Sequence, residues 1–128
     1  MTGGSAGIAV DGGRIKVTQG FELHCGTPPS EPNNLEINWP GHRFHLDTLS
    51  SAFCYDAPGI GPAPPVAAFD TMIGQGTGSL DGVPGAKISF TFADAGEPGT
   101  SDTIAIKING GAALNVSGSL WSGNLQAH

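Results

Sequence analysis

Charge is scarce in this chain, and positive charge scarcer still. Only 12% of its residues are Asp, Glu, Lys or Arg, about half the usual share. Five Lys and Arg stand against eleven Asp and Glu, for a net charge of −6. So few cations exclude the basic stripe of a nucleic-acid surface, and they equally exclude docking on anionic lipid. No apolar run approaches the length of a membrane-spanning helix, so membrane insertion is not expected. No segment sustains apolar residues at i, i+3 and i+4, so almost no helix is expected either. The opening residues Met1 to Gly7 have neither the charge nor the apolar stretch of a secretory leader. An exported form would have lost its leader, with Met1 as an added start.

Cysteine is nearly absent as well, with only Cys25 and Cys54, 29 positions apart and in no CxxC spacing. Two buried thiols of a cytosolic protein are one reading. Low charge and β-rich composition favour the other, a disulfide in an oxidising compartment. Closing a loop of that size adds roughly 3–4 kcal/mol in the chain-entropy account.

Glycine and proline are abundant, at 21 and 10 of 128 residues, while the apolar fraction is 38% and periodic. Periodic apolar residues cut by many turns describe a folded β-protein and not disorder. The longest alternating run is Arg14 to Cys25. Ile15, Val17, Phe21, Leu23 and Cys25 fall on one face, and Arg14, Lys16, Thr18, Glu22 and His24 on the other. Successive strand side chains point to opposite faces, so one face is expected buried and the other wet. Shorter alternations follow at Leu35 to Trp39, Phe44 to Leu46, Ile88 to Phe92, Ile104 to Ile108 and Leu114 to Val116. A glycine-rich strand covers Phe69 to Leu80, and the stretch from Leu49 to Cys54 fits a strand or one helical turn. Asp11-Gly12-Gly13, Asp81-Gly82 and Asn109-Gly110-Gly111 are hairpin turns. The proline-rich segment from Asp56 to Pro65 is an extended loop. Residues 1–128 therefore predict a single all-β domain, an antiparallel β-sandwich or jelly roll of about eight to ten short strands.

Few constellations carry chemistry. Gly3-Gly4-Ser5-Ala6-Gly7 matches Gly-x-Ser-x-Gly in its letters, but a nucleophile elbow needs a helix after the serine and none is expected here. Glu22 and Glu36 are conceivable as a glycosidase pair, but both fall on wet faces. The histidines His24, His42, His45 and His128 are the candidates for a divalent metal such as zinc or copper, although none stands in an HxH or HExxH pattern. His42 and His45 flank Phe44, where backbone hydrogen bonding at a sheet edge is the simpler reading. Asp94, Glu97 and Asp102 in one glycine-bearing loop suit calcium, or else cap turns. Trp39 fits a core face, whereas Trp121, between Leu120 and Ser122-Gly123, is the better aromatic contact for a glycan or peptide. The sequon Asn115-Val116-Ser117 falls within a strand.

Several short runs occur together: Thr2-Gly3-Gly4-Ser5, Gly20-Phe21-Glu22-Leu23-His24-Cys25, Phe44-His45-Leu46, Gly76-Thr77-Gly78, Gly82-Val83-Pro84-Gly85-Ala86 and Gln126-Ala127-His128. In combination they resemble a bacterial domain of secreted and surface proteins that begins Thr-Gly-Gly-Gly and follows choice-of-anchor modules, the post-anchor (post-COAP) type. The resemblance implies an extracellular β-rich accessory module. Its Phe-His pair falls on Phe44 and His45 and its terminal histidine on His128, which with His24 form the metal set to examine. Ser5 stands where a third glycine is common, and Leu125 where a second histidine may occur, which weakens a C-terminal His-x-x-His site. The expected function is a non-catalytic structural or adhesive module at the bacterial cell surface, partnered by other surface-protein domains or by itself through strand edges. The alternative is a metal-dependent or carbohydrate-binding module.

Overall fold

The computed structural model describes residues 1–10, 13–15, 17–58, 69–95, 102–111 and 113–127, with the backbone alone at 5–10, 13–15 and 121–123. The described residues contain no helix, and none long and apolar enough to cross a membrane. Nine strands follow in order: β1 Thr2–Val10, β2 Gly13–Ile15, β3 Thr18–Glu22, β4 Asn34–Trp39, β5 His42–Tyr55, β6 Thr71–Leu80, β7 Val83–Ala93, β8 Thr103–Asn109 and β9 Leu114–Gln126.

All pairings are antiparallel, and from β3 onward each strand pairs with the next in sequence. The sheet then returns on itself, because β1 pairs with β9 from Thr2–Gln126 through to Ala9–Ser119. The all-β antiparallel architecture is as expected. Its opposed walls belong to one sheet curled into a barrel. Closure removes most free strand edges, the usual sites of chain-to-chain pairing.

The run from Arg14 to Cys25 is not one strand. Ser5 pairs with Gln19 but Ile8 with Ile15, so the returning segment carries one residue more than β1 between those pairs and is broken into β2 and β3. The alternation survives the break, with Val17, Phe21 and Leu23 buried and Glu22 outside. It ends there, for Cys25 is exposed. Gln19 also points inward at 4% exposure, and among the described residues neither its amide nitrogen nor its oxygen has a hydrogen-bond partner.

Aromatic rings fill the interior and glycines make room for them. Phe21, Phe92 and Phe90 stack in series at 4.5 Å between centroids. Strand β6 turns Gly74, Gly76 and Gly78 inward. A Cβ on Gly74 would fall on the Phe90 ring, and one on Gly78 would lie 2.2 Å from the His45 carbonyl oxygen and 2.6 Å from Phe44 Cζ. Strand β5 passes over these glycines with two register shifts, between Leu46 and Thr48 and between Leu49 and Ser51. Each bulge bends the strand and raises its twist, which is how a sheet turns a barrel corner.

Connections alternate between the two barrel ends and differ sharply in length. One end has tight turns: Pro40-Gly41, with Gly41 at φ 82°, and Asp81-Gly82, with φ of 53° and 82°. Two positive φ values in a two-residue loop are the type I′ geometry that matches strand twist. The other end gathers Met1, the segment after β3 and the ends of β5, β7 and β9.

Candidate functional site

At the long-loop end the two cysteines are joined: Cys25 and Cys54 form a disulfide with a Cα separation of 5.9 Å. The adjacent Gly26 exchanges both backbone hydrogen bonds with Ala52, at 2.8 and 2.9 Å. The segment after β3 is thereby fastened to β5. His24 belongs to the same fastening. Its ring Nδ1 lies 2.7 Å from the Pro32 carbonyl oxygen and its backbone N–H donates to Asn33 Oδ1, while Nε2 stands 3.9 Å from Glu22.

The carboxylates at this end act as clasps. Asp102 is fully buried. Its Oδ1 accepts the Ala95 N–H at 2.8 Å and its Oδ2 the Leu125 N–H at 2.7 Å. Asp94 Oδ2 accepts from Ala127 at 2.9 Å. Together they bind the segment between β7 and β8 to the end of β9. Asp70 takes the Ala57 N–H and the Thr71 hydroxyl. A hydrogen bond to Asp70, and then the Asp70 charge, push the Asp56 carboxyl above the ordinary aspartate range. Burial lowers the Met1 amino group, with Glu22 opposing; that ammonium donates to the Leu23 carbonyl at 2.7 Å.

Among the described residues, the predicted metal ligands His24 and His45 stand apart. His45 lies on the outer face of β5, opposite Glu36 and Ser79. His24 is two strands away and four residues beyond the rung of Gly20 and Glu36, on the order of 15 Å at ordinary strand spacings. His128 and Glu97 fall outside the described residues. Among the described residues no three His, Cys, Asp or Glu are grouped to hold a metal ion. Glu36 is paired with Arg43 at 3.1 Å, and Glu22 neighbours His24. Trp121 lies on β9 where the register with β1 shifts, between the rungs of Leu120 and Ser122; only its backbone is described. Trp39 packs against the core margin and tilts over His42 at 5.4 Å.

His42, expected to bond to backbone at a sheet edge, takes a side-chain partner. Its Nδ1 meets Asp81 Oδ2 at 2.7 Å, and Asp81 Oδ1 accepts the Arg43 N–H at 2.8 Å. The His42 bond, followed by the Arg43 amide, holds the Asp81 carboxyl below the ordinary range. This joins the β4–β5 and β6–β7 turns at the tight end.

The barrel wall formed by β6 to β9 has a distinct surface. These four strands contain no Asp or Glu. Their outward positions form cross-strand rows: Ile73, Thr91, Ala105 and Ser117, then Gln75, Ser89, Lys107 and Asn115, then Thr77, Lys87 and Asn109. Strand β5 extends the first row with Phe53, which is 66% exposed beside Ile73 at 41% and stacks on Tyr55 at 5.6 Å. Two shallow grooves of about 290 and 400 Å³ cross the wall side by side, and the row of Gln75, Ser89 and Lys107 lies between them and lines both. This wall is not singled out by the sequence reading, although a run of strands without carboxylates is its signal; Phe53 leaves no such signal, because the β5 bulges reset which residues face outward.

No protein family, curated protein or solved structure matches this chain.

Proposed function

We propose that the chain is a non-catalytic adhesive module of a bacterial surface or secreted protein, working outside the cell. The observation that carries this reading is the Cys25–Cys54 disulfide, since such bonds persist in oxidising compartments and are rare in the cytosol. The rest of the molecule suits the role. Its interior is packed with side chains, its carboxylates at one end bond to backbone amides, and its β6–β9 wall is uncharged apart from two lysines. Such a body presents a rigid contact face. Strand-edge assembly into fibres loses support, because β1–β9 pairing occupies the edges of the first and last strands.

A carbohydrate-binding reading is favoured by one specific observation, the Phe53 ring exposed beside Tyr55 among hydroxyl and amide side chains. Aromatic faces of this kind present an apolar body with polar groups around it.

Alkylation of the protein directly in producing cells, without reductant, tests the main reading. Unreactive cysteines that become reactive only after reduction are expected. Two freely alkylated thiols would overturn it.

A further inference from the structure

We propose that the outer wall of β6–β9 binds a polyanionic polysaccharide, with Lys87 and Lys107 meeting its carboxylate or sulfate groups. This rests on the adhesive reading above and names the ligand class of the contact face.

Charge placement is the first argument. The chain holds eleven acids, yet none lies on these four strands. Lys87 and Lys107 are exposed, and neither has a hydrogen-bond or ion-pair partner among the described residues. Arg43, by contrast, is neutralised by Glu36. Asp47, bordering the wall on β5, accepts the Ser79 hydroxyl. An anionic chain is therefore attracted to this wall and repelled by the acid-bearing remainder of the barrel.

Register supplies the second argument. Lys87 is opposite Asn109 and Lys107 is opposite Ser89, so the two ammonium groups belong to diagonal positions on neighbouring strands. The groove between them is lined by Gln75, Thr77, Ser89 and Asn109, whose hydroxyls and amides donate to and accept from sugar hydroxyls. Phe53 and Ile73 give an apolar platform at its margin. A linear polymer laid across β5 to β9 crosses four strand spacings, roughly 19 Å, meeting a polar side chain on each strand. Two cations amid hydroxyls and amides suit a sugar polymer. The dense phosphate array of a nucleic acid demands many more contacts.

Binding to immobilised alginate, dextran sulfate, neutral dextran and double-stranded DNA tests the proposal at low and moderate salt. The oxidised protein is expected to bind alginate or dextran sulfate, and which of them identifies carboxylate or sulfate as the recognised group. Salt weakens the binding, and dextran and DNA are not retained. Lys87→Gln with Lys107→Gln weakens it roughly tenfold, with thermal melting unchanged, while Arg43→Gln leaves it intact. Failure to bind either anionic polymer, equal binding by the double variant, or tighter binding of dextran or DNA would each overturn the proposal. If the oxidised protein still adheres to cells while ignoring both polymers, the proposal falls and the adhesive reading stands. Free thiols in producing cells would remove both.

Discussion

Replacing Gly78 with alanine tests whether the inward glycines of β6 set the barrel's curvature. A Cβ there would stand 2.2 Å from the His45 carbonyl oxygen and 3.0 Å from its carbon. Backbone cannot rotate away as a side chain does, so β5 must shift along its ladder with β6. Overpacking of this kind costs about 1–3 kcal/mol, and a backbone contact belongs at the upper end. Gly20 is the internal control, because a Cβ there meets nothing within 4 Å. Neither position has a positive φ, so alanine fits the backbone at both and gains roughly 0.5–1 kcal/mol from the stiffer unfolded chain. The expected net loss for Gly78→Ala is about 2 kcal/mol. At a urea m-value of about 1–3 kcal/mol/M that lowers the midpoint by roughly 1 M, while Gly20→Ala stays level or rises. Gly74→Ala falls between them, because the atoms it meets belong to the Phe90 ring and can pivot. Urea unfolding of the three variants under oxidising conditions decides the matter. Stabilities of Gly78→Ala and Gly20→Ala within about 0.5 kcal/mol of each other would refute the steric reasoning.

Reduction, or replacement of Cys25 and Cys54 by alanine, is expected to remove roughly 3–4 kcal/mol, measured by denaturant unfolding with and without reductant. Gln19→Met removes a buried amide that has no partner among the described residues and is expected to raise stability by about 1–2 kcal/mol; a loss in the same assay would mean the amide is satisfied. The Asp81 carboxyl is depressed in the folded state, so its contribution is present above the unfolded pKa and disappears as pH falls through the lower folded value. Asp81→Asn keeps a side chain tolerant of positive φ. The variant is therefore less stable than the parent at neutral pH, and the gap closes in strong acid, as melting across an acid series would show.

Which parts of the fold were legible follows from where strands stay regular. Ile104, Ile106 and Ile108 keep strict alternation on β8 and were placed inside correctly. The Asp81-Gly82 turn announced itself through residues that accept positive φ. Strand β5 hid its nature because its two bulges space the buried Leu46, Leu49 and Ala52 three apart, an interval that imitates a helical turn. Barrel closure was not legible, since pairing of β1 with β9 joins segments more than a hundred residues apart and leaves no local pattern. The roles of Asp94 and Asp102 were hidden for a similar reason. Their partners at Leu125 and Ala127 are backbone amides, which no residue type advertises. The disulfide was legible because only two cysteines exist.

The pairing of Thr2 with Gln126 also governs how the barrel carries a load. Tension applied through the segments flanking those residues acts on adjacent antiparallel strands at one end, so it opens the β1–β9 ladder one rung at a time and never loads all rungs together. Such a geometry yields at low force. The Cys25–Cys54 bond then limits how far the chain lengthens. It withholds the 29 residue steps between the cysteines, roughly 100 Å of contour at full extension, and β4 with most of β5 lies inside that protected span. A barrel built this way gives early under pulling and stops short, and reduction would restore the missing length.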